Sequence, residues 1–213
     1  MPEGTTIPEK SLDPRKFQDP HVTAEGIERA VVALTNLRTL WFNTGSLCNI
    51  TCQNCYMDSS PSNDRLAYLT LAEMQAFLDE IESEGLPVEE IAFTGGEPFM
   101  NKDLPGMIAL ALDRGFRVLV LTNAMKPLLN KRPKLLDILK RHPQALTIRV
   151  SVDHFTKQKH EAVRGELSWT PMIEGLRWLA ENGFKITVAG RTCWDESEAD
   201  ARQGYKDLFA AET

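Results

Sequence analysis

The run Phe116–Thr122, FRVLVLT, is almost continuously apolar. As a strand it presents hydrophobic side chains on both faces, so it needs cover on both, as strands in parallel sheets have. Parallel neighbours cannot be joined by a tight turn and need a crossover, usually a helix. The chain on either side of this run supplies such crossovers, and that rhythm constrains the fold.

Upstream, Thr70 is a helix N-cap, with Glu73 three residues on completing a capping box. Leu71, Met74, Phe77, Leu78 and Ile81 follow at helical spacing, and Gly85 ends the helix. Val88–Thr94 reads as a strand. Asp103 caps a helix that runs through Arg114 and is stopped by Gly115. Downstream, Pro133 opens a helix with Leu135, Leu136, Ile138 and Leu139 on one face, and Pro143 lies beyond its end. Ala145–Val152 alternates as a strand. A short helix near 156–163, a longer one from Thr170-Pro171 to Gly183, a strand over Phe184–Ala189 and a helix over Ser197–Glu212 complete the series. Before it, Arg29–Leu34 and Leu37–Asn43 are short β-prone runs around Thr35-Asn36, expected as a hairpin or two consecutive strands. Residues 1–20 read as a poorly ordered arm. The expected organisation is an arm and leading strand over 1–36 and an α/β core over 37–213.

Repeated strand–helix units mean a parallel sheet with right-handed crossovers. Such a sheet closes either doubly wound or as a barrel, and the unusual residues decide between them. The cysteine-rich segment Cys48–Cys55 follows the first strand, Gly95-Gly96-Glu97-Pro98 the second, Thr122-Asn123 the third, Ser151–Asp153 the fourth and Gly190–Thr192 the fifth. All five lie at carboxyl ends of strands. In a barrel those ends meet at one mouth, whereas a doubly wound sheet converges only at its switch point. A partial (β/α) barrel of about five units, lacking a sixth, is therefore expected.

Within the mouth, Cys48, Cys52 and Cys55 are spaced CxxxCxxC. Three thiolates from one loop can hold one metal centre and leave a coordination position for a non-protein ligand. Soft sulfur ligands suit iron–sulfur clusters or zinc. A structural zinc site would need a fourth protein ligand, with Cys193, His154 or His160 as candidates. Paired glycines let a backbone approach a neighbour closely, and Glu97 can accept from an ammonium group. Asn123 is also an ordinary turn residue, Asp153 an ordinary helix cap, Arg164 a solvated helix end, and Arg191 either a surface charge or a carboxylate clamp. Tyr56 and Trp169 can be packing or ligand contacts, and the two histidines are expected on helix surface.

Net charge is −6 with no basic stripe, which argues against a nucleic-acid partner. No run of about 18 apolar residues is present, so no membrane span is expected. Met1–Pro20 lacks the apolar core of a secretory signal. With three of four cysteines clustered, reduced thiols in the cytoplasm are expected over a disulfide framework.

CNITCQNCY at 48–56, FTGGEP at 93–98, LTNA at 121–124, and SVD at 151–153 followed by His160 and VRG at 163–165 together resemble the radical S-adenosylmethionine (radical SAM) superfamily. The resemblance runs from about Leu37 to Thr192, and the style is similar to the branch with molybdenum-cofactor and peptide-maturing members. It implies that Cys48, Cys52 and Cys55 hold a [4Fe–4S] cluster whose fourth iron chelates S-adenosylmethionine. Gly95, Gly96 and Glu97 would receive the methionyl ammonium, and Ser151 and Arg164 the carboxylate or ribose. Asn123 and Asp153 would line the same mouth, with the adenine packed near Val188–Arg191. One electron would cleave the sulfonium to methionine and a 5′-deoxyadenosyl radical, which abstracts hydrogen from a peptide or small-molecule substrate. A flavodoxin or ferredoxin would donate the electron. Two departures are visible. Asn54 stands where the family often has an aromatic residue, and the chain stops after its fifth strand and one helix. The alternative is a zinc-binding or non-catalytic cluster-binding domain from a truncated gene.

Overall fold

The computed structural model describes residues 13–16 and 18–212. The expected arm therefore lies largely outside the described residues. The chain divides into two units between Asn36 and Leu37.

In the first unit, Thr23 and Ile27 face each other across a turn, with the Thr23 N–H donating to the Ile27 carbonyl at 2.8 Å. The Asp19 carboxylate accepts from the N–H groups of His21 and Val22 at 2.7 and 3.1 Å. The β-prone run Arg29–Leu34 does not form a strand, which corrects the expected hairpin. Val31 and Val32 are 87% and 91% exposed. β-branched residues favour a strand only where neighbouring strands give their side chains something to pack on, and this run has none.

The second unit is a five-stranded parallel sheet in the order β1-β2-β3-β4-β5. The strands are β1 Thr39–Asn43, β2 Glu90–Thr94, β3 Arg117–Thr122, β4 Leu146–Ser151 and β5 Lys185–Ala189. Between them run α1 Leu71–Ser83, α2 Leu104–Asp113, α3 Lys126–Leu129, α4 Arg132–Arg141, α5 Lys157–Arg164 and α6 Trp169–Glu181, with α7 Glu198–Glu212 after β5. Strand order equals chain order, so the sheet has no switch point and the crossovers keep one hand. That is the strand order of a (β/α) barrel, with β1 and β5 as the edges of the sheet.

Alternation along each strand assigns its faces. Phe42, Ile91, Phe93, Val118, Val120, Leu146, Ile148 and Val150 join Met74, Leu78, Ile108, Leu135, Met172 and Leu176 in one buried core between sheet and helices. The intervening residues, among them Thr94, Leu121, Arg149 and Ser151, face the concave side. The capping box at Thr70 is present, with Thr70 Oγ1 accepting from the Glu73 N–H at 3.2 Å and Glu73 Oε2 accepting from the Thr70 N–H at 2.8 Å. Asp103 sits at the N-cap of α2 but its side chain does not cap; Asn101 Oδ1 takes the Asp103 N–H instead, at 2.9 Å. Among the described residues no helix is long and apolar enough to cross a membrane.

Candidate cofactor site at the carboxyl ends of the strands

The cysteine loop leaves β1 and is fastened at two places, Ser60 and Val163. Leu47 bridges to Ser60, and the Cys48 N–H donates to the Ser60 carbonyl at 3.1 Å. At mid-loop the Gln53 N–H donates to the Val163 carbonyl at 2.7 Å, tying the loop to the last turn of α5. Asn54 and Asp58 take positive φ, 55° and 57°, a left-handed conformation that asparagine and aspartate tolerate better than most residues. All three cysteines are free thiols and line one concavity with Thr94, Gly95, Gly96, Leu121, Asn123, Ser151, Arg164 and Arg191. The mouth predicted from five strand ends is thus assembled from all five.

Gly95 and Gly96 lie against the segment that feeds the loop. The Gly96 N–H donates to the Gly45 carbonyl at 2.9 Å and the Glu97 N–H to the Leu47 carbonyl at 3.0 Å. A Cβ on Gly96 would stand 2.1 Å from the Leu47 carbonyl oxygen. The close approach these glycines permit is therefore between two stretches of backbone, one of which carries Cys48.

Glu97 is 2% exposed and turned into the protein. Its Oε1 accepts from the Thr122 hydroxyl at 2.8 Å and the Phe99 N–H at 3.1 Å, and its Oε2 from the Asn123 N–H at 2.8 Å. Burial pushes its pKa up, against the pull of these three donors and of Arg164. The carboxylate joins the end of β2 to the end of β3 behind the wall of the concavity.

Asp153 is also buried. Its Oδ2 accepts from Arg164 Nε at 2.8 Å and its Oδ1 pairs with Arg191 Nε at 3.3 Å. One carboxylate thus stands between two guanidiniums beside the cysteines. Burial raises the Cys48 thiol to about 11, opposed mainly by the Ile50 N–H and reinforced by the Glu97 carboxylate, with Arg164 a smaller opposing influence. Burial raises Cys52 too, again against Arg164.

Both histidines expected on helix surface are buried instead. His154 Nε2 meets the Glu196 carboxylate at 3.0 Å, while its Nδ1 accepts from the Thr156 N–H at 2.8 Å. His160 is 0% exposed, neither ring nitrogen has a partner, and it meets Trp169 edge-on at 5.4 Å. Trp169 is thus packing. Tyr56 Oη reaches Thr94 Oγ1 at 3.1 Å on the rim.

Two further residues escape motif reading. Asn49 Oδ1 accepts from Asn123 Nδ2 at 2.9 Å. Arg149 lies on the concave face beside Leu121, with its Nε donating to Thr187 Oγ1 at 3.2 Å. The alternation Thr147, Arg149, Ser151 contained that second signal.

The donor set fits a cluster better than a single ion. A structural zinc site takes a fourth protein ligand beside the three cysteines. Cys193 is exposed, and His154 is committed to Glu196 and Thr156. Three free thiols from one loop that line a shared concavity suit a cluster held by one sulfur per iron.

The family model of the radical SAM superfamily matches residues 42–207. The chain belongs to the radical SAM superfamily. This family works with a [4Fe–4S] cluster and S-adenosylmethionine. The chain is 27% identical over 168 residues to the antilisterial bacteriocin subtilosin biosynthesis protein AlbA of Bacillus subtilis, covering 76% of this chain and 35% of that protein. It is 30% identical over 147 residues to Fe-coproporphyrin III synthase of Methanosarcina barkeri, covering 68% of this chain and 34% of that one. It thus spans about a third of the length of these two radical SAM relatives. The crystal structure of Streptococcus suis SuiB bound to S-adenosylmethionine aligns with a TM-score of 0.66 at 15% identity, over 84% of this chain and 39% of SuiB, a likeness of fold.

Proposed function

We propose that this chain is the cofactor-binding core of a radical SAM enzyme, with Cys48, Cys52 and Cys55 as the ligands of a [4Fe–4S] cluster. The observation that carries the reading is the shared concavity: three free cysteines from one loop, closed by the ends of the other four strands, with two guanidiniums at its wall. When bound, the cluster and S-adenosylmethionine supply one-electron cleavage of the sulfonium to methionine and a 5′-deoxyadenosyl radical able to take a hydrogen atom from substrate.

The protein's part is to bind, orient and exclude water. Gly95 and Gly96 line the concavity where their backbone would receive the methionyl ammonium. Ser151 and Arg164 offer a hydroxyl and a guanidinium to the carboxylate or ribose, a charge-assisted pairing. Asp153 aims Arg164 and Arg191. Glu97 joins the second and third strand ends through the Thr122 hydroxyl and the Asn123 backbone N–H and so supports the ammonium site from behind, while Asn123 lines the mouth. The substrate is a peptide or a small molecule; relatives named for bacteriocin biosynthesis and for porphyrin synthesis stand equally near in sequence. The electron donor is a flavodoxin or ferredoxin in the cytoplasm.

Anaerobic reconstitution tests this. A brown protein with about four irons per chain is expected, and dithionite with S-adenosylmethionine should release 5′-deoxyadenosine. Cys52→Ala should lose the iron and Cys193→Ala keep it. Stoichiometric zinc and a colourless protein after careful reconstitution would sink the reading.

A further inference from the structure

We propose that Asn123 is a positioning residue for Cys48 and that its side-chain amide sets how readily the metal centre accepts an electron. This rests on the reading that Cys48 is a cluster ligand.

Asn123 follows β3 and is buried. Its backbone N–H is held by Glu97 Oε2 at 2.8 Å, and its Oδ1 accepts from the Met125 N–H at 3.1 Å. That second bond decides which way the amide faces, because an oxygen must meet the Met125 N–H. Nδ2 is therefore aimed the other way, with one proton on Asn49 Oδ1 at 2.9 Å and the other toward Cys48 Sγ at 3.9 Å. Every polar atom of Asn123 named here is occupied, so the direction of Nδ2 is fixed before any cofactor binds.

The sulfur it addresses is the most buried of the three, 6% exposed. Charge on that sulfur is poorly solvated, so the oriented N–H donors that address it, the Ile50 backbone N–H and the Asn123 amide, count for more there than at the rim. Cys55 Sγ has a backbone donor, the Ser59 N–H at 3.4 Å, which of all substitutions at Ser59 only proline would remove. Reduction adds negative charge to the centre and its thiolates. A fixed N–H donor stabilises the reduced form more than the oxidised one and raises the potential. The chain Glu97–Asn123–Cys48 thus gives the buried Glu97 a second consequence, since the carboxylate fixes the backbone from which the amide is aimed.

The experiment compares reconstituted parent, Asn123→Ala and Asn123→Asp. Iron content and visible absorption are measured first, then the midpoint potential by redox titration followed by electron paramagnetic resonance, without S-adenosylmethionine. Both variants are expected to keep their iron. Asn123→Ala should shift the midpoint negative by about 59 mV, a tenfold loss in the one-electron reduction equilibrium. Asn123→Asp, which replaces the donor by a negative charge at the same size, should shift it further. Midpoints equal to the parent's in iron-replete variants would overturn the proposal. Loss of iron from both would overturn it too, since Asn123 would then hold the loop together and not tune it. A parent that takes up no iron would instead strike at the cluster assignment itself.

Discussion

The N–H of Gln53 donates to the carbonyl of Val163 at 2.7 Å, so the cysteine loop and the last turn of α5 share a bond although 110 residues separate them in sequence. The Val163 carbonyl is among the last of its helix, which intrahelical bonds leave unmatched. The loop therefore completes the helix while the helix places Cys52 and Cys55. Gln53→Ala retains the N–H and is expected to match the parent in iron content and melting. Gln53→Pro removes it and should lose most of its iron while the sheet still folds. Iron analysis beside circular dichroism distinguishes these, and a Gln53→Pro protein with full iron would show that the loop is held elsewhere.

Asp153 stands between Arg164 and Arg191. Removing one member of a buried ionic group leaves the others without compensation. Asp153→Asn is expected to cost about 3 kcal/mol in urea unfolding, the low end for such a loss because Arg191 is partly exposed. Adding Arg191→Gln should recover part of that, since two unscreened guanidiniums become one. A double variant no more stable than the single would mean that Arg191 does not feel Asp153, and the pairing would be incidental.

The five strand ends were legible because each strand pairs an apolar run with polar or glycine-rich residues at its carboxyl end, and parallel order follows from the crossovers. The destinations of individual side chains were less so. GGEP announces a backbone that approaches something, but the Leu47 carbonyl as its neighbour depends on the parallel pairing of β1 with β2. Glu97 points inward because donors from Phe99, Thr122 and Asn123 meet it there, one on β3 and one directly after it. The run Arg29–Leu34 misled because its composition satisfies local preference without a partner. His154 and His160 misled because polarity alone cannot tell a surface histidine from one buried beside Trp194 or Trp169.

His160 carries the clearest pH signature. Burial, helped by Arg164, holds its pKa down at about 4, below the ordinary value of 6.5. Above pH 6.5 the ring is neutral in both folded and unfolded chains and adds no pH dependence. As pH falls from about 6.5 to about 4 the unfolded chain takes up a proton that the native ring refuses. Stability is lost across that window, by up to about a factor of ten in the unfolding constant per pH unit. His160→Phe keeps a flat ring against Trp169 and removes both unpartnered nitrogens. Urea unfolding at pH 7 and pH 5 should show a smaller acid loss in the variant than in the parent; equal losses would place the acid sensitivity in other groups.

Gly96 decides whether the glycine pair serves the fold or the ligand. A Cβ there would lie 2.1 Å from the Leu47 carbonyl oxygen and 2.7 Å from that of Ser46, both backbone atoms that cannot swing aside. Gly96→Ala must therefore push the end of β2 away from the segment entering the cysteine loop, and Cys48 is the next residue along. The expected cost is about 1–3 kcal/mol, as for overpacking elsewhere, with reduced iron retention. Gly106 in α2 is the control: a Cβ there would meet Leu71 Cδ2 at 3.5 Å, an ordinary contact. Alanine inside a helix is favoured over glycine, so Gly106→Ala should gain about 0.5–1 kcal/mol and leave iron unchanged. Melting curves and iron analysis of the pair give the answer. Were Gly96→Ala as stable and iron-replete as the parent but weaker for S-adenosylmethionine in calorimetric titration, the glycine would be reserved for the ligand and the backbone packing would be secondary.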